Sequence, residues 1–141
     1  MTKRSLGSLV LFLIALVTST GEALAQQAWN SATLSWTTPG DDGLTGTASQ
    51  FDIRFSTSPI TAANFASATR WTTGVPLPAV PGTSQSVVVT GLSPSTTYYF
   101  AMKTGDEVPN WANVSNIASK TTAVALAKLA AVMGDVDQRT S

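Results

Sequence analysis

The side chains of this sequence that could do acid–base chemistry are two pairs of neighbouring carboxylates. Asp41 lies beside Asp42, and Asp106 beside Glu107. A glycosidase needs two carboxyls that face each other across a sugar, and neighbours in a turn point apart. Asp41 and Asp42 could instead offer oxygen ligands to calcium, but the Pro, Gly and Asp residues around them are also what a turn requires. We therefore predict turns at both pairs and no metal site, with calcium at Asp41 and Asp42 as the alternative.

The residue types that the chain lacks narrow its chemistry further. It contains no histidine and no cysteine. Imidazole bases, thiolate nucleophiles, the usual zinc ligands and disulfides are therefore excluded, and a serine nucleophile would lack a base. The eight Lys and Arg residues are balanced by eight Asp and Glu residues, so there is no excess positive charge for a phosphate backbone. We predict a protein that is not an enzyme, needs no cofactor and binds no nucleic acid.

The N-terminal 25 residues have the three parts of a secretory signal. Lys3 and Arg4 precede nine consecutive apolar residues at positions 9–17, and Ala23-Leu24-Ala25 provides the small residues of a cleavage site. The apolar run is much shorter than the roughly 20 residues that span a bilayer. We predict cleavage after Ala25, secretion of residues 26–141 and no membrane attachment after cleavage.

The mature chain alternates apolar and polar residues over most of its length, which is the pattern of half-buried strands. Residues 32–37, 51–56, 86–90 and 98–103 all show it, and turn-forming Gly and Pro residues separate them. This predicts an all-β antiparallel sandwich over residues 26–122, with at most one helical turn between residues 59 and 67. The apolar spacing of Leu126, Leu129, Ala130 and Met133, ending at Gly134, predicts a short helix within a helix-and-tail segment at 123–141.

Residues 29–122 resemble a fibronectin type III domain, an immunoglobulin-like sandwich. The segments ATLSWTTP, FDIRFS and SNIASKTT look like its strands, and GLSPSTTYYFAMK matches its L-x-P-x-T-x-Y signature. The Asp-Asp turn is similar to a variant found in exported bacterial proteins. The resemblance implies that the Tyr98 hydroxyl bonds to nearby backbone as a tyrosine corner. Together with the strand pattern, it gives this structural core: Trp36, Phe51, Ile53, Leu92, Pro94, Tyr98 and Phe100.

One departure from the family concerns its first strand. Only residues 26–31 lie between the predicted cleavage site and the strand that begins near Ala32. We therefore expect either a very short first strand or an uncovered sheet edge, which would be open to pairing.

Tryptophans outside the predicted core are the best candidates for binding. Trp29, Trp71 and Trp111 lie at strand ends or in loops, where they could cap the sandwich or stack on a ligand. Trp111 follows a polar loop at an end of the sandwich, and such loops often bind. The candidate binding residues are Trp111, Asp106, Glu107, Asn110 and Trp71.

The expected function is that of a secreted interaction or spacer module that contacts a protein partner. The alternative is a carbohydrate-binding accessory module of an extracellular polysaccharide-degrading system. It rests on the loop tryptophans and on the tail, where residues 133–137 resemble the start of a dockerin repeat. Asp135 and Asp137 would be its first and third calcium ligands. Arg139 departs from that pattern, and the sequence ends at Ser141, before the expected twelfth ligand.

Overall fold

A computed structural model describes residues 15–16, 29–40, 46–108 and 110–125 of the chain. These residues form seven strands and a single 3₁₀ turn, Phe65–Ser67, which lies within the segment where one helical turn was predicted. The strands are β1 (Ala15–Leu16), β2 (Ser31–Thr37), β3 (Gln50–Ser56), β4 (Thr69–Trp71), β5 (Ser84–Thr90), β6 (Thr97–Gly105) and β7 (Ala118–Thr121).

The strands form two antiparallel sheets. One has the order β1-β2-β5 and the other the order β4-β3-β6-β7. Leu34 pairs with Val87 in the smaller sheet, and Ile53 pairs with Met102 in the larger one. All four side chains belong to a single buried cluster, because alternate residues of each strand point to the same face. The predicted all-β sandwich is therefore observed.

The core lies between the two sheets and contains six of the seven residues predicted for it. Trp36 on β2 meets Phe51 on β3 edge to face, with ring centroids 5.1 Å apart, which is a favourable aromatic geometry. Pro94 is the exception, since it is exposed in the turn before β6. Its ring fixes the backbone of that turn without contributing to the core. The six buried residues are Trp36, Phe51, Ile53, Leu92, Tyr98 and Phe100.

Tyr98 locks the segment between β5 and β6. The backbone N–H of Ser93 donates a hydrogen bond to the Tyr98 hydroxyl oxygen over 3.0 Å, as the tyrosine-corner resemblance implies. Thr122, just after β7, adds a second tie. Its hydroxyl donates to the Ser93 carbonyl at 2.6 Å and accepts from the Thr96 N–H at 3.0 Å. These side-chain hydrogen bonds thus fix the start of β6 and the end of β7, which pair with each other.

The edge of the sheet beside β2, where the sequence predicted a very short first strand or no strand at all, is paired with β1. Ala15 pairs with Ser35 and Leu16 with Leu34, both antiparallel. These two residues belong to the segment predicted as a secretory signal, so cleavage after Ala25 would remove them and free this edge of β2. The predicted helix and the dockerin-like Asp135 and Asp137 lie outside the described residues, and residues 122–125 are irregular.

Candidate functional site

The loop between β6 and β7 is held close to β6 for half of its length. Trp111 forms an isolated bridge with Gly105, and the Ala112 N–H donates to the Thr104 carbonyl at 2.9 Å. Ser115 then exchanges two bonds with Met102. Its N–H donates to the Met102 carbonyl at 2.9 Å, and its hydroxyl oxygen accepts from the Met102 N–H at 3.0 Å. The returning half of the loop therefore has strand-like anchoring, while residues 106–108 and 110 lie at its tip.

Asp106 closes the tip of the loop through Asn110. Its carboxylate accepts from the Asn110 side-chain amide at 2.8 Å and from the Asn110 backbone N–H at 3.0 Å. The Asp106 N–H donates in return to the Asn110 carbonyl at 3.2 Å, and the Asn110 N–H also bonds to the Val108 carbonyl. The side-chain bond from Asn110, followed by its backbone bond, lowers the pKa of Asp106 below its ordinary value of 3.8, because both favour the charged carboxylate.

Trp111 is presented with one part of its ring supported and the rest open to solvent. A Cβ atom on Gly105 would lie 3.2 Å from Trp111 Cε3, so the indole packs directly on the glycine backbone. The side chain is nevertheless 38% exposed. A rigid aromatic surface of this kind costs little conformational entropy to present to a partner.

The structure brings together four of the five candidate binding residues. Asp106, Glu107, Asn110 and Trp111 share the loop, whereas Trp71 lies in edge strand β4, separated from it by β3 and β6. Trp71 packs edge to face on Phe55 at 6.3 Å and buries its indole nitrogen, so it caps the sandwich.

Val108 at the loop tip was not among the candidates, although its side chain is largely exposed. An apolar residue directly after two carboxylates, in a turn-rich segment, is the signal that could have identified it.

A second polar cluster lies on the outer face of the larger sheet. The Arg54 guanidinium bonds to both carboxylate oxygens of Asp52 at 3.0 to 3.2 Å, and it donates to the Ala66 carbonyl at 2.6 Å. Arg54 and Lys103 both lie over the Phe65 ring, at 5.1 and 5.2 Å from its centroid. Asp52 and Arg54 bond to each other, and Arg54 also bonds to the loop of residues 57–68. We therefore assign this cluster a structural role.

Among the described residues, no three Asp or Glu side chains lie close enough together to hold a metal ion. Asp41 and Asp42 fall outside the described range. The described part of the chain also contains no helix long and apolar enough to cross a membrane.

The lowered pKa of Asp106 predicts an acid-sensitive loop. Its bonds to Asn110 stabilise the loop fully above the ordinary pKa of 3.8 and are lost as the pH falls below that value, through the folded-state pKa. We expect the indole N–H resonance of Trp111 to shift in this acid range, and Asp106→Asn to abolish the shift. Glu107→Gln is the matched control and should preserve it. An unchanged titration in Asp106→Asn would contradict the assignment.

Comparison with known proteins places this β-sandwich in a defined class. Residues 22–122 match the family described as the purple acid phosphatase N-terminal domain, so the chain belongs to that family. The sensor domain of the anti-sigma factor RsgI4 of Pseudobacteroides cellulosolvens is similar in structure. It has 15% identity and a TM-score of 0.45 over 84% of this chain and 100% of its own. No curated protein matches the sequence.

Proposed function

We propose that the chain is a secreted, non-catalytic β-sandwich module for protein–protein interaction or spacing. In the interaction role, it contacts a protein partner through the loop of residues 106–111. The observation that carries the proposal is Trp111, whose ring is supported by Gly105 and still 38% exposed. The bonds between Asp106 and Asn110 fix the loop before any partner arrives. A preorganised loop loses less entropy on binding, and tryptophan is among the residues that most often dominate binding energy.

The family supports an accessory role. Its description names the N-terminal domain of purple acid phosphatase, and we propose that this chain serves as an accessory domain of that kind. We further propose that the sandwich is of the fibronectin type III kind. The strand order in its two sheets and the bond from Ser93 to the Tyr98 hydroxyl support this.

Secretion is supported by the order of charged, apolar and small residues in the first 25 positions. We expect the protein recovered from the medium of its source to begin at Gln26. Mass spectrometry of its N-terminal peptide tests this. Recovery of a cell-associated chain that still carries residues 1–25 would contradict it.

Replacing Trp111 with alanine should weaken binding much more than folding. We expect partner retention to fall about tenfold or more, with a loss of no more than about 1 kcal/mol in unfolding free energy. Ile117→Ala is a matched control, because Ile117 lies in the same loop and is also 38% exposed. The measurement is retention of the purified variants on extracellular material from the source culture, beside thermal unfolding.

Two results would overturn the site. A Trp111→Ala variant retained as well as the unchanged protein would remove Trp111 from the interface. A fall of several degrees in its unfolding midpoint, with no such fall for Ile117→Ala, would make Trp111 a packing residue.

Carbohydrate binding is the second candidate, and the exposed indole of Trp111 is the observation that favours it. Trp71 gives it little support, because its ring packs on Phe55. Titration of tryptophan fluorescence with soluble glucans, xylans and chitin fragments separates the two candidates. Quenching that Trp111→Ala abolishes would favour the sugar, and an unchanged spectrum with all three would favour the protein partner.

A further inference from the structure

The segment of residues 75–81, Val-Pro-Leu-Pro-Ala-Val-Pro, lies in the connection between β4 and β5 and runs into a turn at residues 80–83, where the Thr83 N–H donates to the Val80 carbonyl at 3.2 Å. Its conformation is restricted by its own sequence. Its three prolines have a fixed φ, and each residue before a proline is driven out of the helical region. Six of its seven residues are therefore either proline or directly before one, Ala79 being the exception. This favours the polyproline II conformation. We call the segment the proline strap.

The proline strap is tied to the sandwich by one side chain of β5. The Gln85 amide donates to the Leu77 carbonyl at 2.8 Å, and its amide oxygen accepts from the Ala79 N–H at 3.1 Å. The Thr38 hydroxyl also donates to that oxygen, at 2.6 Å. At the start of the strap, Val75 packs against the main core. The strap is therefore a fixed feature of the surface.

The two exposed residues of the proline strap are three positions apart. Leu77 and Val80 are exposed, whereas the other five residues of the strap are partly buried. Polyproline II has three residues per turn, so we expect positions 77 and 80 to lie on one face. Leu77 is 82% exposed and Val80 66%, the two highest values among the exposed large hydrophobic residues of the described chain. Two apolar side chains are thus exposed on the proline strap, in a stretch, residues 71–83, with no charged residue.

We propose that the proline strap is a docking ligand for a protein domain with an aromatic-lined groove, and that Leu77 and Val80 fill neighbouring pockets of that groove. Grooves of this type recognise extended proline-rich segments because these segments lose little entropy when they bind. The bonds from Gln85 hold the strap in shape and reduce that loss further. The site is separate from the loop of residues 106–111 and does not depend on the function proposed for it.

The test uses the full chain, labelled with ¹⁵N, titrated with a panel of SH3, WW and EVH1 domains as probes. We expect at least one domain to bind with a dissociation constant below about 1 mM and to shift the amide resonances of the strap and of Gln85. Leu77→Ser combined with Val80→Ser should weaken that binding by about tenfold or more, because it removes both apolar anchors.

The control is Val88→Ser combined with Val124→Ser, which removes two other exposed valines and should leave binding unchanged. Trp111→Ala should also leave it unchanged, so the result is independent of the loop of residues 106–111. Unfolding midpoints of both double variants show whether the fold is intact. The proposal is overturned if no domain of the panel binds, if the Leu77 and Val80 variant binds as well as the unchanged chain, or if the shifts fall on β2 and β5 without the strap.

Discussion

Replacing Phe100 with alanine is expected to lower the free energy of unfolding by about 4 kcal/mol, because it removes a large buried ring and leaves a cavity. Phe100 is 0% exposed and lies in the middle of β6, the longest strand. Its ring is 6.4 Å from each of the Tyr98 and Phe55 rings, so its loss affects the packing of two further aromatic residues. A domain of this size has only about 5 to 15 kcal/mol in total, and much of that would be lost.

Urea denaturation of the unchanged protein and the variant measures this difference. Val88→Ala is the control. Val88 is about half exposed on β5, so its replacement should change the unfolding free energy by less than about 0.5 kcal/mol. A loss below about 1 kcal/mol for Phe100→Ala would mean that the ring does not pack as described.

Replacing Arg54 with methionine is expected to cost about 2 kcal/mol, the second-largest effect among our predictions. The substitution keeps an apolar chain over Phe65 but leaves the Asp52 carboxylate, which is only 11% exposed, with Arg70 as its remaining cation. Removing one partner of a largely buried pair costs about 3 to 5 kcal/mol, and the 19% exposure of Arg54 reduces this through solvent screening. The Ala66 and Ala68 carbonyls also lose their donor.

Arg70→Met is a matched control, since Arg70 contacts the same carboxylate at 3.2 Å but is 50% exposed. It should cost less than about 1 kcal/mol. Denaturant unfolding of both variants, and of Asp52→Leu combined with Arg54→Met, completes the test. The combined variant should lose less stability than Asp52→Leu and Arg54→Met lose separately in sum, because no buried charge is left unpaired and Arg70, which loses the carboxylate, is half exposed. Equal costs for Arg54→Met and Arg70→Met would contradict the account.

Much of the sandwich could be predicted from residue alternation. Phe51 and Ile53 face the core because side chains of a strand point alternately to its two faces. The hydrogen bond to the Tyr98 hydroxyl could be predicted because the resemblance to fibronectin type III domains rests on a signature specific to the turn before β6. The same resemblance placed Pro94 in the core, and this was wrong because the role of Pro94 is to fix the backbone of the turn.

Contacts between distant segments were harder to predict. Trp71 lies in a strand of only three residues, which is too short to show any alternation. Asp52 and Arg54 could be assigned to one face, but Phe65 comes from a loop that carries no strand pattern. At the candidate site, sequence placed Asp106, Asn110 and Trp111 in one loop. It could not show that Gly105 supports the indole, because that contact depends on how the loop returns along β6.

We propose contact with other molecules at two places where apolar groups are exposed. Trp111 projects at the loop between β6 and β7, and Leu77 and Val80 project from the proline strap. Both are held by side-chain or backbone hydrogen bonds, and neither depends on a catalytic group. A module with two fixed apolar contacts could join two partners while its core supplies the stability.

The most direct test of the central claim is site-specific photo-crosslinking in the source organism. A photoreactive phenylalanine analogue is placed at position 111 in one strain and at position 88 in another, and the secreted adducts are identified by mass spectrometry. If the loop binds a partner, we expect one dominant protein adduct from position 111 and none from position 88, which lies on the outer face of β5. The same weak adducts from both positions, or none from position 111, would contradict a partner-binding loop.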